Sequence, residues 1–308
     1  MIVVAGESLI DLIVRPDGRV EAIPGGGPYN VARTLGRLGC DVSFLGRLST
    51  DRFGSILRAG LAGAGVDLGL APSTAAPTLL AVAELDVDGA ASYHFYADGT
   101  AAPGLAVGDL PGGLPAATTA LHVGTLGLVF EPMAATIEAL IADAGPDVLV
   151  VADPNCRPTA IRDPDAYRAR LARILRRVGV AKVSVDDLAW LDPGTDAVEA
   201  AQRLMDEGPA AVLVTNGPNP VRLVTASGVA SIPVPAVRVV DTVGAGDAFG
   251  AAFLAAWIGA GRHRADLADE DALASATRFA IEVGTLATTR AGAEPPTLAE
   301  VRATGATW

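Results

Sequence analysis

The hydrophobic residues of this chain are grouped in short runs that alternate with longer stretches of helical periodicity. Six apolar runs bounded by turn residues predict buried strands, at 2–5, 42–45, 119–123, 147–152, 180–184 and 211–215. The stretches between them predict helices, near 29–38, 51–64, 131–144, 164–178 and 196–207. This alternation predicts an α/β fold with a doubly wound, mostly parallel sheet flanked by helices. In such folds, ligands bind beyond the carboxyl ends of the strands.

Residues 10–23 and 78–97 depart from this pattern, since each reads as two short strands around a turn. The turn pairs are Asp17-Gly18 and Asp88-Gly89, which are typical of hairpins. We therefore expect a small β-sheet lid, with strands inserted at about 10–24 and 76–98, on one domain that spans 1–308. The exposed edges of such a sheet favour a homodimer through the lid, because free edges otherwise pair without control.

The composition agrees with one large α/β domain. Of the 308 residues, 50% are hydrophobic and 19% are charged, which suits a chain that buries a sizeable core. The net charge of −12 argues against nucleic acid or an anionic membrane as the main partner, since both require a basic face. Neither a signal peptide nor a membrane-spanning segment is predicted. With only two cysteines, Cys40 and Cys156, we expect a reducing, cytoplasmic location.

The stretch DTVGAGDAFG at 241–250 joins a predicted strand end at 237–240 to a predicted helix at 247–260. A glycine turn at a helix N-terminus presents backbone N–H groups and the positive end of the helix dipole to an anion. A Walker A loop is excluded, because Lys182 is the chain's only lysine and Ala181 precedes it. A Rossmann fingerprint is disfavoured, because the glycine spacing differs and the turn does not follow the first strand.

Asp247 distinguishes this turn from an ordinary anion site. A carboxylate in the first helical turn can accept the proton of an attacking hydroxyl while the turn holds a phosphoryl group. In a loose phosphoryl-transfer transition state, positioning and charge stabilisation matter more than basicity. Aspartate also caps helix N-termini, although Gly250 stands where a capping box has Glu or Gln. The residues alone leave catalysis and capping both open.

Four stretches of the chain carry specific motifs: DTVGAGDAF at 241–249, GGGPYNVA at 25–32, DPNCR at 153–157 and GAEPP at 292–296. Together they resemble the motifs of the PfkB (ribokinase-like) family of ATP-dependent sugar and nucleoside kinases. DPNCRP at 153–158 and the GES…DL start at 6–12 resemble its fructokinase-like members. The similarity extends over essentially the whole chain, with the motifs in the family's order. It implies a ribokinase-like α/β fold with a β-sheet lid, in agreement with the hydrophobic pattern.

By that resemblance, Asp247 is the catalytic base, and the anion hole consists of the amides of Gly244, Ala245 and Gly246. The sugar-binding groups that it implies are Asp11, expected at the end of the first strand region, Asn30, and the backbone of Gly26 and Gly27. Arg157 of the DPNCR stretch is a candidate for contact with substrate or phosphate. Tyr96 shares one strand face with His94 by its spacing, and the pair either covers the sugar or packs within the lid.

The resemblance also implies an ATP site, with candidate residues Lys182, Ser184, Thr215, Gly217, Thr242 and Gly246. Mg²⁺ would bridge the phosphates, with Asp187 as a ligand through water. Asp241 and the Val243 carbonyl are candidates for a K⁺ site. Three departures loosen the nucleotide motifs: Ser184 and Asp187 stand at the ends of the family's N-x-x-E, Pro220 replaces a turn glycine, and Ile281 replaces an asparagine near the adenine. Lys182 has the alternative role of capping its strand.

We therefore expect an ATP-dependent kinase that phosphorylates a primary hydroxyl of a small sugar, with fructose or a related ketohexose favoured. The alternatives are a nucleoside, ribose or 2-keto-3-deoxygluconate kinase of the same family, or a weakly catalytic sugar-binding regulator. The low aromatic content (5%) opposes a nucleoside site. No His/Cys spacing indicates a structural metal, and His122 is expected to be a core histidine with its hydrogen bonds satisfied.

Overall fold

The computed structural model of the chain describes residues 1–85, 91–110 and 112–305, so the predicted Asp88-Gly89 turn lies outside the described residues. The strands are β1 Ile2–Ala5, β2 Leu9–Val14, β3 Val20–Gly25, β4 Val42–Leu45, β5 Leu48–Ser49, β6 Ser73–Thr74, β7 Leu80–Leu85, β8 Ala91–Tyr96, β9 Ala120–Gly124, β10 Leu149–Asp153, β11 Val180–Ser184, β12 Ala211–Asn216, β13 Asn219–Thr225 and β14 Gly228–Ile232. The α-helices are α1 Gly27–Arg37, α2 Arg52–Gly63, α3 Met133–Asp143, α4 Pro164–Leu175, α5 Val185–Leu191, α6 Ala197–Asp206, α7 Ala245–Gly259, α8 Glu270–Ala287 and α9 Leu298–Ala303.

All the predicted apolar runs are strands of one 8-stranded sheet, in the order β14-β13-β12-β11-β10-β9-β1-β4. The strands from β12 to β4 pair in parallel, and β13 and β14 extend the sheet in antiparallel fashion. The predicted doubly wound, mostly parallel sheet is confirmed. Because β4 and β9 flank β1 on its two sides, the winding reverses at β1, which is where such folds form their ligand crevice.

Alternate residues of the parallel strands enter two cores, one on each face of the sheet. Val4 and Val151 belong to the core that includes α1, α2, α7 and α8, whereas Val3 and Val150 belong to the core that includes α3, α4, α5 and α6. Helices therefore cover both faces of the sheet. This coverage explains why the strands read as continuous apolar runs rather than as alternating ones.

A separate 4-stranded sheet of order β3-β2-β7-β8, which we call the lid sheet, contains both of the predicted strand pairs. The two pairs meet through parallel pairing of β2 with β7. Leu9 and Ala81 of this sheet pack with Leu126 and Ala160 in a small third core. The strand pairs are thus confirmed, while the division of the chain into one domain with an inserted lid stays a prediction.

The sequence analysis did not predict the hairpin of β13 and β14 or the helices α5, α8 and α9. Its strand at 237–240 is wrong, because that segment is irregular and Val239 and Val240 are exposed. The end of α8 holds this backbone instead, since the Val240 N–H donates to the Thr288 carbonyl at 2.8 Å. Valine-rich composition favours a strand only where another strand supplies a paired edge.

Helix α7 is apolar on nearly all sides because it packs on α1 and α8 within the first core. The rings of Phe253 and Trp257 stack with their centroids 6.1 Å apart. The Trp257 indole N–H donates to the His263 carbonyl at 3.2 Å, so the one polar atom of this large side chain has a partner. Close packing along the whole helix gives its N-terminal turn a well-defined position.

We expect Trp257→Ala to lower the free energy of unfolding by about 3–5 kcal/mol, because removal of a fully buried aromatic ring leaves a cavity in the core. Equilibrium urea denaturation measures this loss. Val229→Ala on the exposed side of β14 serves as the control, with an expected change within about 0.5 kcal/mol. A Trp257→Ala loss no larger than that of the control would contradict the packing described for α7.

Candidate active site

The glycine turn of the DTVGAGDAFG stretch forms the N-terminus of α7. Gly244 is the N-cap residue, and its φ of 75° lies in the left-handed region that favours glycine. The turn also fits tightly, since a Cβ on Gly244 would lie 2.7 Å from the Cβ of Ala293. The 15-residue helix begins at Ala245, so its positive end and first-turn amides have the arrangement that an anion site requires.

Asp247 lies in the first turn of α7 and is buried. Its Oδ2 accepts a hydrogen bond of 2.8 Å from Nδ2 of Asn30, which belongs to the first turn of α1. Burial raises the pKa of Asp247, whereas the bond from Asn30 and the charges of Lys182 and Arg157 lower it. Because Gly244 is the N-cap and the helix has no side-chain cap bond, capping does not account for Asp247.

A buried ion pair lies directly beneath the glycine turn. Nζ of Lys182 is 2.9 Å from Oδ2 of Asp153, and both side chains are buried. A Cβ on Gly246 would lie 3.0 Å from Nζ, so the ammonium group supports the turn from below. Burial opposes the charge of Lys182, but Asp153, with smaller contributions from Asp247 and Asp187, raises its pKa overall. Lys182 therefore does more than cap its strand, and the sequence analysis gave no role to its partner Asp153.

His122 on β9 lies under the second turn of α7. Its Nε2 would be 3.8 Å from a Cβ on Gly250. Burial, and then the charge of Lys182, lowers the pKa of His122 to about 3, so the ring is neutral. The expectation of a core histidine is confirmed, and among the described protein groups neither ring nitrogen has a hydrogen-bond partner.

Asp11 lies in β2 of the lid sheet, not at the end of β1. The neighbouring strand makes room for its carboxylate, because a Cβ on Gly25 would lie 2.1 Å from Oδ2 of Asp11. Burial raises the pKa of Asp11 to about 6, the charge of Arg157 opposes this shift, and the charge of Asp247 adds to it. The charges of Arg157 and Asp247 are therefore near enough to influence the carboxyl group of Asp11.

Tyr96 lies on the other face of the lid sheet from Asp11. The register aligns Asp11 with Ala81 and Ala81 with Phe95, whereas Tyr96 aligns with Leu80. Since residues that pair across strands share a face and neighbours alternate, Phe95 shares the face of Asp11 and Tyr96 does not. The prediction that Tyr96 covers the sugar is therefore corrected. Phe95, which packs edge-on against Phe130, was missed because its face depends on the register.

The GGG stretch leads from the lid sheet into α1. Gly26 is the N-cap of α1 with a φ of 104°, and Gly27 is the first helical residue. A Cβ on Gly27 would lie 2.4 Å from Cγ2 of Thr125, so the backbone of α1 approaches the loop after β9 as closely as only glycine allows. These two predicted sugar-binding residues therefore lie one turn before Asn30.

Arg157 follows β10 and is exposed, with its guanidinium group bonded to Oδ1 of Asn155 at 2.5 Å. Asn155 has a φ of 39°, a left-handed conformation that asparagine tolerates better than most residues. Its charge opposes the rise in the pKa of both Asp11 and Asp247. The structure therefore keeps Arg157 as a candidate for contact with substrate or phosphate.

The residues that align with the N-x-x-E motif have a clear structural role. Ser184 is the N-cap of α5 and forms a capping box with Asp187. Oδ1 of Asp187 accepts the Cys156 N–H at 2.6 Å, and Oδ2 accepts the Ser184 N–H at 2.8 Å. The expectation that Asp187 holds Mg²⁺ through water stays a prediction, because these bonds leave a carboxylate further acceptor capacity. In the part of the chain that the structure describes, no group of three or more His, Cys, Asp or Glu side chains is placed to hold a metal ion.

The other nucleotide candidates lie on turns around the same end of the sheet. Thr215 is near the end of β12 and donates to the Val183 carbonyl at 3.3 Å, and Gly217 occupies the following turn with a φ of 52°. Thr242 is exposed just before the glycine turn. Asp241 accepts the N–H groups of Val243 at 3.0 Å and Gly292 at 2.8 Å, and it thereby fastens the glycine turn to the GAEPP stretch.

A family model described as pfkB family carbohydrate kinase matches residues 1–299. The chain belongs to this family. A fructokinase of Klebsiella pneumoniae is 36% identical over 296 residues, which cover 94% of each chain. A fructokinase of Rhizobium leguminosarum bv. trifolii is 35% identical over 259 residues, or 83% of this chain and 79% of that one. This PfkB kinase is therefore a phosphotransferase that acts on a sugar hydroxyl.

Solved structures give the same assignment and confirm the ribokinase-like fold. The fructokinase of Xylella fastidiosa with bound ATP superposes with a TM-score of 0.89 at 30% identity, over 98% of this chain and 97% of that one. The fructokinase of Vibrio cholerae O395 with fructose, ADP and calcium ion bound has a TM-score of 0.86 at 27% identity, with the same coverage. In the described residues of this PfkB kinase, no helix has the length and apolar character needed to cross a membrane.

We expect the KM for the sugar to rise as the pH falls through about 6, because burial raises the pKa of Asp11 to that value and only the ionised acid is a pure acceptor for sugar hydroxyls. Asp11→Asn should raise KM at every pH and remove this part of the pH dependence. Initial rates between pH 5 and 8 measure both effects. Asp165→Asn, at an exposed position, is the control and should keep the wild-type profile. An unchanged profile in Asp11→Asn would show that Asp11 does not contact the sugar.

Proposed function

We propose that this PfkB kinase is an ATP-dependent fructokinase that transfers the γ-phosphoryl group to a primary hydroxyl of fructose or a related ketohexose. The observation that carries this proposal is the 2.8 Å hydrogen bond from Asn30 to Asp247. It joins the predicted sugar-binding turn of α1 to the acid in the first turn of α7. The fructokinases among its relatives support the choice of sugar.

In the mechanism that we propose, Asp11, Asn30 and the Gly26-Gly27 backbone hold the sugar with its hydroxyl at Asp247. Asp247 accepts the hydroxyl proton as the oxygen forms its bond to the γ-phosphorus. The bond from that phosphorus to the bridging oxygen of ADP breaks, and ADP keeps the electron pair. The amides of Gly244, Ala245 and Gly246 face the negative charge that the transferred group carries. Lys182 adds a positive charge beneath them.

ATP fits the candidate site because a glycine turn at a helix N-terminus suits its phosphates. We place the nucleotide along Ser184, Thr215, Gly217 and Thr242, with the exposed Val239 and Val240 beside the base. Mg²⁺ would supply charge neutralisation on the phosphates, and Asp187, whose oxygens also accept the Cys156 and Ser184 N–H groups, is the residue that would hold it through water. We retain Asp241 and the Val243 carbonyl as the proposed ligands of K⁺. Asp241 also accepts the N–H of Gly292.

A nucleoside kinase is the second candidate. The aminoimidazole riboside kinase of Salmonella enterica, solved with aminoimidazole riboside and an ATP analog, has a TM-score of 0.84 at 26% identity. The ring of Phe95, on the Asp11 face of the lid sheet, is the feature here that suits a planar base. Ribose and 2-keto-3-deoxygluconate remain alternatives that the same assay separates, and the latter requires Arg157 to bind its carboxylate.

A substrate panel with ATP and Mg²⁺ tests the proposal, with fructose, ribose, 2-keto-3-deoxygluconate and aminoimidazole riboside as acceptors. We expect the highest kcat/KM with fructose. Asp247→Asn should lower kcat by about 10²–10⁴-fold, because the hydroxyl proton loses its acceptor. A coupled assay of ADP release measures both. If the wild type phosphorylates none of the acceptors, a sugar-binding regulator becomes the better description. A decrease of only a few-fold in kcat for Asp247→Asn would refute its assignment as the base.

We also propose a homodimer through the lid sheet, whose edge strands β3 and β8 carry the exposed Val20, Tyr93 and Tyr96. Sedimentation equilibrium at micromolar concentration should give twice the mass of the chain. Val20→Asp combined with Tyr96→Asp should halve that mass, because charges at an apolar interface oppose association. Val229→Asp on β14, the edge strand of the large sheet, is the matched control and should leave the dimer intact. A wild-type mass of one chain would remove the proposal.

We retain the cytoplasmic location, with Cys40 and Cys156 both free.

A further inference from the structure

Glu7 is a buried acid to which neither the family motifs nor the proposed mechanism gives a role. It follows β1 in the loop to β2, and its exposed fraction is 1%. Three donors surround its carboxylate. Oε1 accepts the Gly27 N–H at 3.2 Å and the Thr125 hydroxyl, and Oε2 accepts the Gly127 N–H at 2.8 Å. Each carboxylate oxygen therefore accepts at least one hydrogen bond from a backbone N–H or from the Thr125 hydroxyl.

The first of these donors belongs to the N-terminus of α1. That helix has Gly26 as its N-cap, which offers no side-chain acceptor, and its first turn contains no acidic residue. The free N–H groups of a helix N-terminus need acceptors, and its dipole favours a negative charge there. Glu7 provides both from another segment of the chain. It therefore acts as the cap that the sequence of α1 itself lacks.

The other two donors belong to the turn Thr125–Leu128 that follows β9. Thr125 has a φ of 49°, and its methyl group lies against Gly27. Glu7 thus bonds to both sides of the contact between this turn and α1. Because the contact has no room for a side chain on Gly27, α1 and the turn lie directly against each other. A small movement of either segment would therefore change the distance between them.

Burial of the Glu7 carboxylate costs free energy unless the surrounding donors need its oxygens as acceptors. Burial raises its pKa to about 7, the bonds from Thr125 and Gly127 oppose the rise, and the charge of Asp247 adds to it. Among the ion pairs of the described residues, none includes Glu7. An apolar side chain would fill the same space without a desolvated charge. The acid is therefore kept for the bonds that it accepts.

We propose that Glu7 is a positioning residue for the sugar site: it ties the first turn of α1 to the turn Thr125–Leu128 and so holds Asn30 and the Gly26-Gly27 backbone in place. Asn30 is one helical turn after Gly27 and makes the 2.8 Å bond to Asp247. A shift of the α1 terminus therefore moves the sugar-binding groups and the partner of Asp247 together. The inference rests on the proposed function for its effect on sugar affinity, and on the contacts alone for its effect on α1.

Glu7→Gln tests the inference with little change of shape. The amide retains one acceptor oxygen but turns an NH₂ group toward donors, so at least one of the two backbone bonds, from Gly27 or from Gly127, is lost. We expect the KM for fructose to rise about tenfold while the KM for ATP stays within twofold. Thr125→Val, which removes one donor and keeps the β-branched shape, should raise the KM for fructose in the same direction by a smaller factor. This second variant decides the question if Glu7→Gln does not fold.

Asp51→Asn is the matched control. Asp51 caps α2 and also accepts three bonds, from the Gly54 N–H at 2.7 Å, the Thr78 N–H at 2.8 Å and the Thr78 hydroxyl at 2.7 Å. We expect Asp51→Asn to lower Tm, as Glu7→Gln also should, but to leave the KM for fructose within twofold. An equal rise in this control, or an equal rise in the KM for ATP in Glu7→Gln, would show general loosening and overturn the positioning role.

Hydrogen exchange without any ligand separates this inference from the proposed function. In Glu7→Gln, peptides that cover 26–31 and 124–128 should exchange about tenfold faster than in the wild type, with no change there in Asp51→Asn. If the wild type phosphorylates no sugar, the proposed function fails, while faster exchange at both segments still supports the tie through Glu7. Unchanged exchange at 26–31 overturns it.

Discussion

A buried carboxylate that accepts a proton beside a phosphate, as we propose for Asp247, must be held at one point although burial opposes its charge. In this PfkB kinase the constraint is met by the hydrogen bond from Asn30 to Asp247. The two residues begin different helices, 217 positions apart in the chain. Their meeting requires α1 and α7 to lie side by side on one face of the sheet, with both N-termini toward the crevice at β1. The extensive packing of α7 against α1 and α8 provides that arrangement.

The charges beneath α7 follow from the same geometry. Asp153 is the last residue of β10 and Lys182 is the middle residue of the adjacent parallel strand β11, and their side chains face the α7 side of the sheet, so they pair directly below the glycine turn. An isolated ammonium group would be strongly disfavoured there, and the pairing makes it tolerable. His122 remains neutral beside it because burial and the charge of Lys182 both oppose a second positive charge. The turn is thus supported by one cation at a fixed place.

Sequence patterns located the strands well where each strand is buried on both faces. Runs such as 42–45 and 180–184 have the observed bounds because helices cover both sides of them. The pattern failed where pairing rather than burial decides the structure. The valines at 237–240 have strand composition but are held by the end of α8 instead, and the strand β14 was missed because it is short and all of its residues except Ile232 are exposed. A pairing partner is a property of the fold, not of the segment.

By itself, the sequence determined the fold class and the glycine turn, because apolar runs and turn residues indicate strands, helix starts and turns directly, and the resemblance of its motifs implied the kinase family and the asparagine motif. Only the tertiary structure decided which of the candidate groups meet. Tyr96 and Phe95 are neighbours in the chain, yet the register of the lid sheet puts only Phe95 on the face of Asp11. Asp187 accepts the N–H of Cys156 from 31 positions away, and Glu7 accepts the N–H of Gly27 at the N-terminus of α1 from 20 positions away. Such contacts join segments far apart in the chain, and so they depend on strand order, register and packing, which the spacing of residues does not specify.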